Sequence, residues 1–460
     1  MSTISTKNSF SMSLMQISEI LSASFTGEDI IVNGISTDTR TIQGGELFIA
    51  LKGPNFDGHK FIELAFEKGA AACLIQEDIL DNSDRLVNTN DTHKALGLLA
   101  KAWREEFNIP VFAITGSNGK TTVKEMISSI ISQNQDVMAT HGNFNNDIGV
   151  PLTLFRLNKN NEAAVIEMGA NHVSEISYLT QLTLPTVAII TNIGSAHLDG
   201  FGSLDNTAKA KSEIFLGLAE NGTAIINADD DFYNTLKANA ANYNILTFGV
   251  NNKADITATA RTNHDGCLLN VSTPKGQCEV KLQLLGNHNV MNALAAIAAT
   301  TAAGYPLSQI VKGLENLKPV AGRLQVKQGV NESCVIDDTY NANPTSLYAA
   351  INVMQNFSGK RYLALGDMGE LGANEEQIHS EAGTYAKTHG VDALYSYGHL
   401  ANNAAKTFGS PSYSYNKQED MIDALKKDLA KDVTLLVKGS RSMHMENVVN
   451  ELTESRMGQG

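Results

Sequence analysis

The sequence predicts an α/β protein of three domains, on three observations. Its 460 residues exceed what one hydrophobic core usually organises. Apolar strand patterns alternate with helical patterns in two separate series, as in largely parallel sheets covered by helices. The stretch Val111-Phe112-Ala113-Ile114-Thr115-Gly116-Ser117-Asn118-Gly119-Lys120-Thr121-Thr122 joins a buried-strand pattern to a glycine loop, a lysine and two hydroxyls that open a helix. The expected division is a small α/β domain over residues 1–84, a central parallel sheet with the phosphate-binding loop over 85–320, and a Rossmann-like domain over 321–460.

Taken in order, Ile17, Ile20 and Leu21 have the spacing of a short amphipathic helix, residues 46–51 read as a strand, and a helix from His59 to Gly69 leads into a strand at 71–75. The polar run 78–84 is the expected end of this domain. Strands follow at 111–115, 163–168, 186–192 and 223–227. Residues 255–285 change to period two, with turns at Gly266 and Pro274-Lys275-Gly276, so antiparallel strands are expected to flank the sheet. An alanine-rich helix from Asn289 to Ala303 closes the domain, and Gly304-Tyr305-Pro306 stops it. Beyond Ala321-Gly322-Arg323 the second series has strands near 334–337, 362–365, 393–397 and 433–437. Its helices start near Pro344, Glu375, Lys417 and Met443. This part lacks the G-x-G-x-x-G fingerprint of a dinucleotide site.

A formal charge of −14 argues against a general nucleic-acid binder or a basic membrane-surface protein and favours small-molecule partners. The four cysteines are far apart with no C-x-x-C pair, which suggests neither a zinc site nor a disulfide framework and fits a reducing cytoplasm. Residues 1–13 lack the apolar core of a signal peptide, and no stretch approaches the ~20 apolar residues of a membrane span. The chain is expected to act in the cytoplasm, as a monomer.

The loop Gly116 to Thr122 has the chemistry of a triphosphate cradle. Glycines let backbone N–H groups close on phosphate oxygens, Lys120 reaches the outer phosphates, and Thr121 or Thr122 can ligate Mg²⁺. Full Walker spacing would want a glycine where the chain has Ile114. Glu167 ends an otherwise apolar strand, where a carboxylate is costly unless paired or metal-bound, and His197 follows the next strand. In Asn206 to Phe215, Lys209 and Glu213 have i, i+4 spacing, and taken alone the lysines of this helix, Lys211 included, read as a solvated face. Asn287, His288, Asn289 and Asn292 crowd one helix start; capping by Asn287 or Asn289 explains part of this, and hydrogen bonding to a planar base explains the excess. Asp337 and Asp338 close a strand with two acids. Arg323, past the hinge, can reach a phosphate.

Together these segments resemble the Mur ligase family of ATP-dependent amide-forming enzymes across essentially the whole chain. The shortened loop Thr115 to Thr122 is the family's own form. Gly142-Asn143-Phe144-Asn145-Asn146-Asp147-Ile148-Gly149-Val150-Pro151, the run from Asp337 to Pro344, and Gly366-Asp367-Met368-Gly369-Glu370-Leu371-Gly372 look like the member that joins D-alanyl-D-alanine to UDP-N-acetylmuramoyl-tripeptide. The resemblance implies ATP and Mg²⁺ as cofactors, and an acyl-phosphate intermediate. It implies that Lys211 is carbamylated and, with Glu167 and His197, holds one Mg²⁺, while Gly116, Ser117, Asn118, Gly119, Lys120, Thr121 and Thr122 hold the phosphates and Thr121 a further Mg²⁺. Asn287, His288 and Asn292 would meet adenine, Asp338 the ribose, and Arg323 the phosphates. Ser36, Asp38 and Arg40 match the site for the UDP moiety, Asn143, Asn145 and Asn146 the peptide channel, and Asn341 and Asn343 further substrate contacts. Lys438, Ser440 and Arg441 fall on the dipeptide side. The alternatives are another amino-acid-adding ligase of this family, against which the absent Asp-Asn-Pro-Arg motif counts, or a folylpolyglutamate synthetase, against which the UDP-type N-terminal domain counts.

Overall fold

The computed structural model describes residues 10–23, 25–76, 84–194 and 198–453. The polar run at 78–83 and the candidate ligand His197 lie outside the described residues. Three sheets carry the chain. The first is four parallel strands in the order β1 (Ile35–Ser36), β2 (Leu47–Ile49), β3 (Ala72–Ile75) and β4 (Leu86–Asn88). Strand β4 continues this sheet past residue 84, where the sequence placed the boundary; three residues are too short a run to show a period. The helix α1 (Thr92–Glu105) then leads into the central unit. Asp91 caps it, accepting from the Lys94 N–H at 3.0 Å.

The central sheet has nine strands. In chain order they are β5 (Val111–Thr115), β6 (Val137–Ala139), β7 (Ala163–Glu167), β8 (Val187–Ile190), β9 (Thr223–Asn227), β10 (Asn244–Gly249), β11 (Ile256–Asn263), β12 (Gly266–Thr273) and β13 (Gly276–Leu282). In space the order is β6-β7-β5-β8-β9-β10-β11-β12-β13, parallel as far as β11 and antiparallel beyond. The period-two stretch therefore forms the expected antiparallel flank, with turns at Gly266 and Gly276. Every residue of β5, β7 and β8 is buried, as strands covered by helices on both faces require. Helices α2 (Lys120–Ile131), α3 (Gly149–Leu154), α4 (Glu175–Thr183) and α5 (Leu204–Ser212) connect the parallel strands, and α6 (Asn287–Ala302) packs its alanine face on the sheet, with Ala293 to Ala299 fully buried.

The third unit is a six-stranded sheet, β14 (Gln325–Gln328), β15 (Cys334–Asp338), β16 (Lys360–Gly366), β17 (Ala393–Tyr397), β18 (Ser412–Tyr415) and β19 (Val433–Lys438). Its spatial order is β14-β15-β19-β16-β17-β18, parallel except for the edge strand β14. Edge strands β14 and β18, and the strands β6 and β10, were not legible as strands. Each is short or only half-buried, so neither alternation nor a continuous apolar run marks it. Among the described residues no helix is long and apolar enough to cross a membrane, and all four cysteines are free.

Candidate active site

The loop after β5 lies where the central sheet changes direction, since β5 has β7 on one side and β8 on the other. Crevices at such positions, beyond the carboxyl ends of strands, are where open sheets bind ligands. Register brings the strand ends level: Glu167 pairs with Ile114 and Ile190 with Thr115. Ile114 therefore belongs to the buried strand, and the loop proper starts at Gly116. Gly116 has φ +149° and Gly119 φ +82°; a Cβ at the first would strike Thr191 Oγ1, and at the second Asn292 Oδ1. Only glycine lets the chain pass both points. This also seats Asn292, a proposed adenine contact, directly on the phosphate loop.

The loop after β8 clamps this turn. Asn192 accepts from the Asn118 N–H through its Oδ1 (3.0 Å) and donates from its Nδ2 to the Asn118 carbonyl (2.9 Å), and Thr191 Oγ1 donates to the same carbonyl at 2.6 Å. Ser117 Oγ donates to the Gly194 carbonyl and accepts from the Gly194 N–H. Asp230 in turn accepts from the Ile193 N–H at 2.7 Å. Thr191, Asn192 and Asp230 received no role from the sequence. Their signal was the one that exposed Glu167, polar side chains at the ends of apolar strands.

Lys120 opens α2 and folds its ammonium back on the Gly116 carbonyl at 2.6 Å. Burial lowers its pKa; Glu167 and Glu370 oppose that shift, and Arg323 adds to it. Glu167 is 2% exposed. Its backbone N–H is held by Thr140 Oγ1 and its Oε1 accepts from Asn145 Nδ2 at 2.9 Å, while Oε2 is buried with no partner among the described residues. Lys211, on α5, is 1% exposed and overturns the expectation of a solvated face; Lys209, on the same helix, is the exposed one. Burial first, and the nearby Lys120 second, push the Lys211 pKa well below its ordinary value. Glu213 does not face Lys209 as the i, i+4 spacing suggested. Its carboxylate accepts from the Ser174 and Ser177 N–H groups across the start of α4.

The third unit closes on this loop from the other side. Arg323 donates through Nη2 to Thr121 Oγ1 at 3.1 Å and lies over the Tyr340 ring at 4.2 Å; its Nε is buried without a partner among the described residues. Asn343 caps the helix α7 (Pro344–Met354) through Oδ1 and donates to Asn118 Oδ1 at 2.9 Å through Nδ2. This places it on the phosphate loop. Asn341 is exposed, with its Oδ1 turned to the Ala342 N–H. The Asp338 carboxylate accepts from the Leu324 N–H and from Lys438. Lys438 is thus buried, its ammonium also donating to the Asn341 carbonyl at 2.9 Å. Ser440 is buried, and Arg441 pairs with Glu446 at 3.0 Å.

Capping does not explain the amides that open α6. Its cap is Gly286, without a side-chain bond; Asn289 reaches back to the Leu285 carbonyl at 2.8 Å, Asn292 donates to Asn289, and Asn287 is exposed. Burial lowers the His288 pKa to about 4 against the field of Asp338, so the ring is neutral around pH 7.

A cavity of about 540 Å³ opens from Lys120 between α1, the loop before α3 and the loop before α4. Asn145 and Asn146 line it; Asn143 is exposed nearby in sequence. His93 and Lys94 of α1, Asn171 of the loop before α4 and Tyr178 of α4 line it too and were missed, because nothing local marks such residues as facing a cavity. In the first unit Arg40 grips Asp38 bidentately, with bonds of 2.9 and 2.6 Å, and Ser36 Oγ donates to the Asp38 carbonyl at 3.0 Å. The Arg40 guanidinium beside Asp38 holds its carboxyl below the usual range.

The site can thus set loop N–H groups, Lys120 and Arg323 against anionic oxygens, with a buried carboxylate and a buried amine alongside. Comparison with known proteins agrees. The family descriptions "Mur ligase family, catalytic domain", "Mur ligase middle domain" and "Mur ligase, glutamate ligase domain" match residues 31–104, 114–300 and 322–441. A UDP-N-acetylmuramoyl-tripeptide--D-alanyl-D-alanine ligase of Escherichia coli (strain K12) is 42% identical over 449 residues, 97% of this chain and 99% of its own. The structure of UDP-N-acetylmuramoylalanyl-D-glutamyl-2,6-diaminopimelate--D-alanyl-D-alanyl ligase from Acinetobacter baumannii is 34% identical, with TM-score 0.88 over 98% of this chain and 99% of its own. That of a MurF ligase from Thermotoga maritima in complex with ADP is 28% identical, with TM-score 0.82 over 91% and 96%. On matches that span all three sheets, the chain belongs to the Mur ligase family.

Proposed function

We propose that the chain ligates D-alanyl-D-alanine to UDP-N-acetylmuramoyl-tripeptide, converting ATP to ADP and phosphate, in the cytoplasm and as a monomer. The observation that carries this reading is the meeting, at one strand-end crevice, of the phosphate loop, Glu167, the buried amine of Lys211 and Arg323 of the third unit, in a chain that matches a relative of that name end to end.

A carboxylate is a poor electrophile. In this reading the tripeptide carboxylate attacks the γ-phosphate, giving an acyl phosphate and ADP, and the dipeptide amine then displaces phosphate to form the amide. The obstacle is repulsion between an anionic nucleophile and an anionic phosphate, which Lys120, Arg323 and the loop N–H groups oppose. The buried Glu167 Oε2, without a partner among the described residues, fits a cation, and Lys211 would do so once carbamylated. Thr121, and Glu167 with His197 and a carbamylated Lys211, would hold Mg²⁺, which when bound supplies positive charge at the phosphates. Burial keeps a fraction of Lys211 as neutral amine, the form that adds to CO₂ with release of one proton; the carbamate then restores an anion to the site. Asn287, the neutral His288 and Asn292 would meet adenine and Asp338 the ribose, with Lys438 holding the Asp338 carboxylate in place. The first unit would take the UDP moiety at Ser36, Asp38 and Arg40, and the cavity at Asn145 and Asn146 the peptide, with Asn143 at its edge and Asn341 and Asn343 beside the nucleotide.

The test is ADP release by the purified chain with ATP, Mg²⁺ and UDP-N-acetylmuramoyl-tripeptide. D-Alanyl-D-alanine should support it and single amino acids poorly, because polar groups built for a dipeptide stay desolvated and unmatched when a shorter amine binds. Faster release with D-glutamate or a free diamino acid would overturn the reading.

A further inference from the structure

The cavity at Lys120 holds more charge than the reacting carboxylate requires. Its basic lining is Lys120 at the inner end and His93 and Lys94 at the α1 end. Of its two acids, Glu175 is occupied, accepting from the Asn171 and His172 N–H groups at 2.7 and 3.2 Å. Asp147 stands 4.0 Å from His93 and is 58% exposed. His93 and Lys94 sit in the first turn of α1, where the one adjacent acid, the capping Asp91, is engaged by the Lys94 backbone N–H and where the helix dipole disfavours cations. Basic residues held there against local preference, facing a cavity, suggest an anion that comes and goes.

An acceptor spanning from the first unit to Lys120 carries such an anion. A glutamyl residue within a peptide keeps one carboxyl free, and a diaminopimelyl residue keeps a distal one, whichever carboxyl reacts. Resting on the function proposed above, we propose that Lys94 and His93 bind a second, non-reacting carboxylate of the peptide acceptor, with Asp147 orienting His93. The cavity then reads the acceptor at two points, Lys120 at the reacting carboxylate and Lys94 with His93 at the other. An acceptor lacking the second carboxylate leaves the Lys94 ammonium without that anion.

The experiment measures KM for three acceptors with the purified full chain: the diaminopimelate tripeptide, the same peptide with the D-glutamyl carboxylate as carboxamide, and the peptide with lysine in place of diaminopimelate. Lys94→Ala should raise KM for the first acceptor about tenfold, the order expected for a hydrogen bond to a charged group, and leave KM for ATP in place. Lys94→Arg should restore most of the loss, and thermal unfolding should be unchanged because Lys94 is exposed. In the wild type one altered acceptor should lose the same tenfold, and in Lys94→Ala it should lose nothing further. The carboxamide peptide doing so identifies the D-glutamyl carboxylate, the lysine peptide the distal one. An unchanged KM in Lys94→Ala and in His93→Gln, or penalties of both altered acceptors that persist in full in the variants, would overturn the proposal while leaving the ligase reading intact. No ADP release by the wild type with any acceptor would overturn both.

Discussion

The seam between the central and third units differs in kind from the exposed loop of the first unit. At the seam, side chains of the two units already hold each other, Arg323 on Thr121 and Asn343 on Asn118, and the third unit's own Lys438–Asp338 pair stands beside His288 of the central unit. In the first unit, the Asp38 carboxylate and the Arg40 guanidinium pair with each other, with the Arg40 side chain 86% exposed. Preorganised charge in a dry crevice is worth far more than the same charge in water. The seam is therefore where chemistry should be sensitive to single atoms, and the outer loop where a ligand must displace an existing pair.

The sharpest way to break that contrast is Lys120→Ala. Lys120 contributes charge at the loop and little packing, so the fold should survive, and turnover should fall about 100-fold or more, as for removal of one transition-state charge contact. Steady-state ADP release beside a thermal melt checks this. Activity above about a tenth of wild type would remove Lys120 from the transition state.

Lys211→Ala should come next. If a carbamate on this amine supplies the missing anion, the variant should be nearly inactive and partly rescued by small carboxylic acids that enter the vacated space. A structural role alone would predict loss without rescue. Mass spectrometry under bicarbonate offers a second readout, expecting a labile adduct on Lys211.

What the sequence showed and concealed follows the same division. The phosphate loop and the strand ends at Glu167 and Asp338 were legible because glycine, lysine and acids interrupt apolar runs there, and the antiparallel flank because its residues alternate with period two. Lys211 was not legible as buried from the residues alone: α5 is polar by composition, and it is tertiary packing, with the Phe201 ring 5.5 Å from the ammonium, that removes the lysine from water. Family resemblance supplied that role. The pairing of Lys438 with Asp338, 100 residues away, was not legible either, because only the fold brings the ends of their two strands together. The cavity residues His93 and Tyr178 come from two helices that meet only in the fold; the Tyr178 hydroxyl rests against Gly97 of α1, where a Cβ would collide with it.

Arg323→Ala should test whether the seam itself matters. It removes a donor to Thr121 and a cation over Tyr340, and should weaken ADP binding roughly tenfold. Arg323→Lys should recover only part of this, because a point charge cannot reproduce the planar fork. Calorimetric titration with ADP distinguishes the outcomes, and equal affinity in all three proteins would show that the third unit closes without gripping the nucleotide.

Arg40→Ala should have the smallest effect, and on one measurement only. An exposed ion pair contributes little to folding, since both partners are well hydrated when apart and salt screens them when together, so the melting temperature should not move. A UDP diphosphate is another matter, because it offers a guanidinium a denser anion than the Asp38 carboxylate. Losing that exchange should raise acceptor KM a few-fold, and the wild-type advantage should shrink as ionic strength rises. A lowered melting temperature would make Arg40 a structural element after all. An unchanged acceptor KM at low salt would place the UDP moiety elsewhere on the first unit.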